Sequence, residues 1–415
     1  MVALHLRPCH SRRRRSGFEG LTDVAMKTQR EIVLSASSHI GSGRLPKRAA
    51  GLLAVAILIA MATWVAPARC DDAPAKQLLP VHTGGRVQVG ANGDSWDYGW
   101  PGVYFEARFT GTAVDVHLND YQNTLAISVD GQEVARLQRP GKTTYEVRDL
   151  PDGAHTIRLV KTTESYSEYA SFNGFAIPAG ATALPPPSRP FQMEFIGDSE
   201  TIGLSNLSTQ RQCESAEIVD KTDSEKSFAV LTAHHYNADY QLVAMSSRGL
   251  LRNYGGLDPS NNMQTYYDRL FPYVTEGKYQ RPADWAPQVV VISLGTNDFS
   301  VDVKPEEPWP NKAALRAAYV DSYVGFVARL RALDPHAVFA LAATGGYVDA
   351  VRSVVERVKA SGDARVVFVE FAGLTLQGCN YHPNAQDHET MSGALISAID
   401  GFGDAWGREK SEPLN

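Results

Sequence analysis

The stretch Phe191-Gln-Met-Glu-Phe-Ile-Gly-Asp-Ser-Glu200 sets the reading of the whole chain. Its apolar residues Phe191, Met193, Phe195 and Ile196 have strand character and stop at Gly197-Asp198-Ser199, so a serine falls just past a strand's carboxyl end. Open α/β sheets build their sites at that edge. A serine there can also be a plain helix cap, so Ser199 is a candidate nucleophile only if partners reach the same edge. Three segments follow in the required order: Ser247-Arg-Gly249 after the run Gln241–Met245, Gly295-Thr-Asn-Asp298 after Val289–Leu294, and His382-Pro383 near the C-terminus.

Working outward, strand-like runs at 191–196, 241–245, 289–294, 337–343 and 366–371 alternate with helical patterns at 224–237, 311–333, 347–361 and 384–399. Five strands with crossover helices predict an α/β domain with a parallel, doubly wound, three-layer sheet over 191–405, followed by a polar tail at 406–415. Upstream, residues 80–178 read as antiparallel β structure. The signals are period-two alternation in Ala113-Val-Asp-Val-His-Leu118 and tight turns at Val129-Asp-Gly-Gln132 and Pro151-Asp-Gly153. About a hundred such residues suit a β-sandwich or jelly roll. The aromatics of Trp96-Asp-Tyr-Gly-Trp-Pro-Gly102 could stack on sugars, but large aromatics pack first, and filling the sandwich core is the plainer expectation. Pro185, Pro186, Pro187 and Pro190 mark 179–190 as a linker.

A chain of 415 residues has room for two domains plus processing segments, and its net charge of -6 argues against a general nucleic-acid binder, which would need a basic face. Lys47-Arg48, the apolar run Ala49–Val65 and the small residues of Ala66-Pro67-Ala68 predict a leader over 1–68, cleaved near Ala68, and a spacer at 69–79. The expected product is secreted or periplasmic, with no membrane attachment after cleavage. Cys213 and Cys379 then remain in the globular part, and an oxidising compartment allows them to pair or to stay two buried thiols.

A serine hydroxyl needs a base, and among eleven histidines His382 has the best setting, after the fifth strand and before a proline that opens a helix. His234 and His235 fall within a helical pattern, and His388 is expected to make a structural hydrogen bond. An oxyanion requires fixed donors. The backbone N–H groups of Ser199 and Gly249 and the side-chain amide of Asn297 are the candidates, each with a plainer use as a turn or cap residue. Asp198 and Asp298 read as acceptors that stabilise their own loops.

The set Gly197-Asp-Ser199, Gly249, Gly295-Thr-Asn297-Asp298 and His382 resembles the four blocks of the SGNH (GDSL-type) hydrolase superfamily, which implies a five-stranded flavodoxin-like catalytic domain. Trp100-Pro-Gly102, Val129-Asp-Gly131, Ser247-Arg-Gly-Leu-Leu-Arg-Asn253 and Gly378-Cys-Asn-Tyr-His-Pro383 resemble carbohydrate esterase family two, from about residue 80 to 405. That resemblance implies a jelly roll joined to an SGNH domain. It also implies a serine esterase that needs no cofactor or metal and removes O-acetyl groups from xylan- or glucomannan-like polysaccharides or oligosaccharides, often at the 6-O position. The chain departs from the pattern where the superfamily carries an aspartate three residues before the histidine, because Cys379 stands there, and Asn380 stands two before. The expectation is therefore a Ser199–His382 dyad in which a carbonyl oxygen, from the Asn380 side chain or from the backbone, orients the ring. The competing readings are a lipase or lysophospholipase of the same superfamily, and a carbohydrate-binding protein with weak or no catalysis.

Overall fold

The computed structural model describes residues 76–167 and 169–406. The expected leader and its cleavage site near Ala68, the first part of the 69–79 spacer and nearly all of the 406–415 tail lie outside the described residues.

Between Gln77 and Leu184 the described residues form two antiparallel sheets of six strands each. Thr124–Val129 and Gln132–Gln138 pair through Asp130-Gly131, whose φ values of 51° and 79° are those of the two-residue turn that matches strand twist. The sheets face each other across a core of aromatics. Phe105 of one sheet stacks on Phe172 of the other with ring centres 4.5 Å apart, and Trp96 stacks on Phe172 at 5.5 Å. Trp100 is fully buried, and its Nε1–H donates to Leu270 O at 2.9 Å. Both tryptophans thus pack inside the molecule and offer no face to a ligand.

The segment expected to be a linker is partly structured. Thr182–Leu184 pairs with the strand Tyr104–Thr110 as an edge strand, because the prolines that cannot join a ladder begin only at Pro185.

The following strands are numbered within the parallel sheet: β1 (Phe191–Gly197), β2 (Ala238–Ala244), β3 (Val289–Ser293), β4 (Val338–Ala343) and β5 (Val366–Glu370). Their order is β2-β1-β3-β4-β5 and every pair is parallel. The chain reverses its direction of travel across the sheet at β1, which opens a crevice at that strand's carboxyl end. β2, β3 and β4 are buried throughout, as crossover helices on both faces require, while the edge strand β5 is partly open. Met193, Phe195, Val291 and Ala340 pack with Phe228–His235 and Ala385–Phe402 on one side, while Ile196, Ile292, Phe339 and Leu341 pack with Lys312–Leu333 and Val348–Ala360 on the other.

Two of the long helices, Lys312–Leu333 and Ala385–Phe402, start at side-chain caps. Asn311 Oδ1 accepts the N–H of Ala314 at 2.9 Å, and Asn384 forms a reciprocal capping box with Asp387. The pattern at 224–237 divides into a short 3-10 turn, Ser224–Lys226, and the helix Phe228–His235, because Ser227 caps the second piece through Val230 N–H.

The two halves are joined by buried ion pairs. Arg86 and Glu194, both buried, lie 3.2 Å apart, and Arg158 reaches Glu106 at 2.7 Å and Glu225 at 3.1 Å. Tyr104 Oη donates to Asp239 Oδ1 at 2.6 Å, linking a strand of the antiparallel half to β2. These bonds fix the parallel sheet against the sandwich.

Candidate active site

The site begins where β1 stops. A Cβ on Gly197 would lie 1.9 Å from Thr201 Oγ1 and 3.0 Å from Ser293 O, so only glycine lets the chain turn between β1 and β3. Asp198 caps the four-residue helix Ser199–Ile202, its Oδ1 accepting Glu200 N–H at 3.1 Å, and Gly203 ends that helix at φ 80°. Ser199 is the first helical residue, so its N–H is among those the helix leaves without a carbonyl.

His382 arrives from the loop after β5. Its Nε2 lies 2.9 Å from Ser199 Oγ and its Nδ1 lies 2.8 Å from Cys379 O. A carbonyl oxygen only accepts, so Nδ1 carries the hydrogen and donates to it, and Nε2 is left to accept from the serine hydroxyl. Burial pushes the imidazole's pKa down from its ordinary 6.5, and the bond to Cys379 O pulls it partly back. The ring is thus held neutral and correctly protonated to take a proton from Oγ.

The ring is oriented by the backbone, and the expectation for the Asn380 side chain is corrected. Asn380 and Tyr381 both adopt left-handed backbone, φ 54° and 63°, which turns the Cys379 carbonyl inward toward His382 and leaves Asn380 exposed. The Asn380 N–H donates outward, to Arg211 O at 2.8 Å. Cys213 and Cys379 are bonded to each other, with Cα atoms 5.5 Å apart.

Of the three expected oxyanion donors, two are engaged by protein acceptors. Asn297 Nδ2 donates to Asp198 Oδ2 at 2.9 Å and Arg248 O at 3.1 Å, and Gly249 N–H donates to Asn253 Oδ1 at 3.1 Å. The cause is Asp298, whose buried carboxylate accepts the N–H groups of Leu250, Leu251 and Arg252 at 2.8 to 2.9 Å and curls the loop so that Asn253 meets Gly249. Gly249 N–H and Asn297 Nδ2 are thus held by protein acceptors in this arrangement, and among the described residues the Ser199 N–H is the expected donor not so held. Asp198 and Asp298 act as loop acceptors, as their sequence positions suggested.

Other histidines have separate employment. His388 is buried and its Nδ1 accepts Phe228 N–H at 3.1 Å, with burial pushing its pKa down to about 3.

Two groups escaped sequence reasoning. Glu200, next to the serine, is buried. Its Oε1 accepts from Thr296 Oγ1 at 3.2 Å, its Oε2 has no hydrogen-bond partner among the described residues, and burial lifts its pKa to about 7. Burial and the neighbouring Glu200 also push the Asp198 pKa well above its ordinary 3.8. Asp387 holds the histidine loop from behind. Its carboxylate accepts Thr375 N–H (2.7 Å), Leu376 N–H (2.9 Å) and Asn384 N–H (3.1 Å). The spacing of Asn384 and Asp387 was a legible capping signal; nothing local in the sequence marked Glu200. A cavity of about 530 Å³ opens further along the same sheet edge, between Thr344–Asp349 and Glu370–Leu376, and neither Ser199 nor His382 lines it.

A serine hydroxyl bonded to a tautomer-fixed imidazole at the switch point of a parallel sheet defines a hydrolase of the acyl-transfer type, and comparison with known proteins narrows the class to carboxylic ester hydrolases. The family described as Carbohydrate esterase 2 N-terminal matches residues 83–187. The chain is 38% identical over 330 residues to an acetylxylan esterase / glucomannan deacetylase of Cellvibrio japonicus, covering 77% of this chain and 91% of that protein. It is 32% identical over 314 residues to the cellulase/esterase CelE of Acetivibrio thermocellus, covering 72% of this chain and 37% of that larger protein. Among solved structures, a carbohydrate esterase whose active site displays divergent catalytic and non-catalytic binding functions superposes with a TM-score of 0.75 at 36% identity, over 80% of this chain and all of that one. A family two carbohydrate esterase from Clostridium thermocellum, in complex with cellohexaose, gives a TM-score of 0.69 at 28% identity, over 79% of this chain and all of that one. The chain belongs to carbohydrate esterase family 2, within the SGNH hydrolases.

Proposed function

We propose that this carbohydrate esterase removes O-acetyl groups from xylan- or glucomannan-like polysaccharide or oligosaccharide through an acyl-enzyme, with Ser199 as nucleophile and His382 as base. The single observation that carries the reading is the 2.9 Å contact of His382 Nε2 with Ser199 Oγ, made while Nδ1 is bonded to a carbonyl and not a carboxylate. Ser199 Oγ attacks the acetyl carbonyl and passes its proton to Nε2. The imidazolium returns that proton to the sugar oxygen as it leaves, and water repeats the sequence to release acetate. The Ser199 N–H meets the oxyanion first. Gly249 N–H and the Asn297 amide are proposed to follow, exchanging the acceptors Asn253 Oδ1, Asp198 Oδ2 and Arg248 O for the developing charge.

A jelly-roll topology for residues 80–178 and a flavodoxin-like layering for 191–405 are part of the same reading, supported by the paired antiparallel sheets and by the strand order β2-β1-β3-β4-β5. Secretion, with cleavage near Ala68, draws support from the Cys213–Cys379 bond, which persists in oxidising compartments. The 6-O hydroxyl is the proposed position of attack.

The test is release of acetate from acetylated xylan, acetylated glucomannan and site-defined acetyl sugars, with the Ser199→Ala variant alongside. The reading expects acetate release that the variant lacks, a preference for acetyl over octanoyl esters, and no loss of rate with a chelator. Turnover in Ser199→Ala close to that of the parent would overturn it.

A further inference from the structure

Behind the His382 loop lies a strap that the chemistry so far has not used. Arg211 Nε donates to Leu376 O at 2.8 Å and Nη2 donates to Thr375 O at 2.9 Å. Its guanidinium lies 4.7 Å from the Tyr381 ring centre. Its own carbonyl accepts Asn380 N–H at 2.8 Å. Two residues on, Cys213 is bonded to Cys379.

These contacts converge on one peptide unit. The Asn380 N–H and the Cys379 C=O belong to the same planar group and point in opposite directions. Fixing the N–H on Arg211 O therefore aims the C=O, and that C=O is the acceptor for His382 Nδ1–H. The disulfide fixes the same residue through its side chain. A carboxylate in this place would find the imidazolium by charge, whereas a neutral carbonyl is useful only while its direction is held.

We propose that Arg211 is a positioning residue for the esterase reaction, and that the strap from Arg211 to Cys213 does by rigidity what the missing acid would do by charge. It clamps the Cys379–Asn380 peptide so that His382 keeps its hydrogen on Nδ1. The inference rests on His382 being the base.

The experiment compares Arg211→Ala, Arg211→Lys, Cys213→Ser and His382→Ala on an aryl acetate, reading kcat, KM, the pH dependence of kcat/KM, and melting temperature. Arg211→Ala is expected to lower kcat about tenfold, the scale of one weakened charge-assisted hydrogen bond, with KM within about twofold. The acid limb of kcat/KM should move to lower pH, because the bond that Nδ1–H donates to Cys379 O raises the ring's pKa and would be loosened. Cys213→Ser should act in the same direction, and Arg211→Lys, which keeps a cation for the Thr375 and Leu376 carbonyls but loses the two-pronged guanidinium, should fall between. The Nδ1–H proton resonance of His382, sharp in the parent, should broaden in Arg211→Ala. Unchanged kcat in Arg211→Ala, or a loss matched by the unfolded fraction with the acid limb unmoved, would overturn the positioning role alone, provided His382→Ala is inactive. An active His382→Ala would overturn the base assignment and this inference with it.

Discussion

At the scale of single residues, the proposed chemistry depends on where one hydrogen sits. His382 works as a base only in the Nδ1–H tautomer, and Cys379 O selects it from 2.8 Å. Replacing Ser199 or His382 by alanine should each lower kcat on the order of 1,000-fold or more, and the double variant should be little worse than either single one, since the two act as a unit. Asn380→Ala should leave kcat within about twofold, because the side chain is exposed and the carbonyl that orients the ring belongs to Cys379. The imidazole is lowered from 6.5 by burial, so the acid limb of kcat/KM is expected below pH 6.5. A limb above that value would contradict the buried, carbonyl-bonded ring. Glu200 gives a stability prediction of definite sign. The unfolded chain releases this proton near pH 4.5 and the folded protein holds it to about 7, so the folded state binds more protons in between and stability falls as pH rises through that window. Glu200→Gln removes the charge. Its stability relative to the parent should rise between pH 5 and 7, by on the order of 1–3 kcal/mol at the upper end, read in denaturant melts across that range.

At the scale of elements, the histidine loop is as much a product of the helix after it as of β5 before it. Asp387 completes the capping box of Ala385–Phe402 and, with the same carboxylate, takes the N–H groups of Thr375 and Leu376. One side chain therefore starts a helix and closes a loop. Asp387→Ala should destabilise the protein by about 1–3 kcal/mol, seen in denaturant melts, and should lower kcat even at temperatures where the variant is fully folded. Asp387→Asn keeps one acceptor oxygen and should recover part of both. The capping pair could be seen in the sequence as Asn384 and Asp387 three apart. The second use of Asp387 could not, because its partners lie on a loop whose path only the fold determines.

At the scale of the molecule, the sandwich and the parallel sheet are cross-linked by buried charges. Arg86 pairs with Glu194 of β1, the strand that carries Ser199 at its end. Removing the arginine would strand a buried carboxylate, which typically costs about 3–5 kcal/mol. Arg86→Ala should therefore lower the melting temperature, and both halves should melt in one transition when followed by tryptophan fluorescence and by far-ultraviolet dichroism. Separate transitions would show that the seam does not couple the halves.

The chain by itself determined the succession of strands and helices after Phe191, because apolar runs of period two and 3.6 and side-chain caps such as Asn311 and Asn384 act between near neighbours. It also placed Ser199 directly past the end of β1 and His382 on the loop after β5, just ahead of the proline that precedes the last helix. What only the tertiary structure decided was which atoms those residues meet. The Asn380 side chain was an equally reasonable orienter until a pair of left-handed residues turned Cys379 O inward. Gly249 and Asn297 could be read as donors, but the acceptors beside them could not: Asp298 draws three N–H groups and Asp198 takes an amide hydrogen of Asn297. Arg211 carried no local signal, since its partners are more than 160 positions away. Element formation is governed by contacts within a few residues, whereas hydrogen-bond direction at a site is set by peptide planes brought together from distant strands, and no local pattern encodes that geometry.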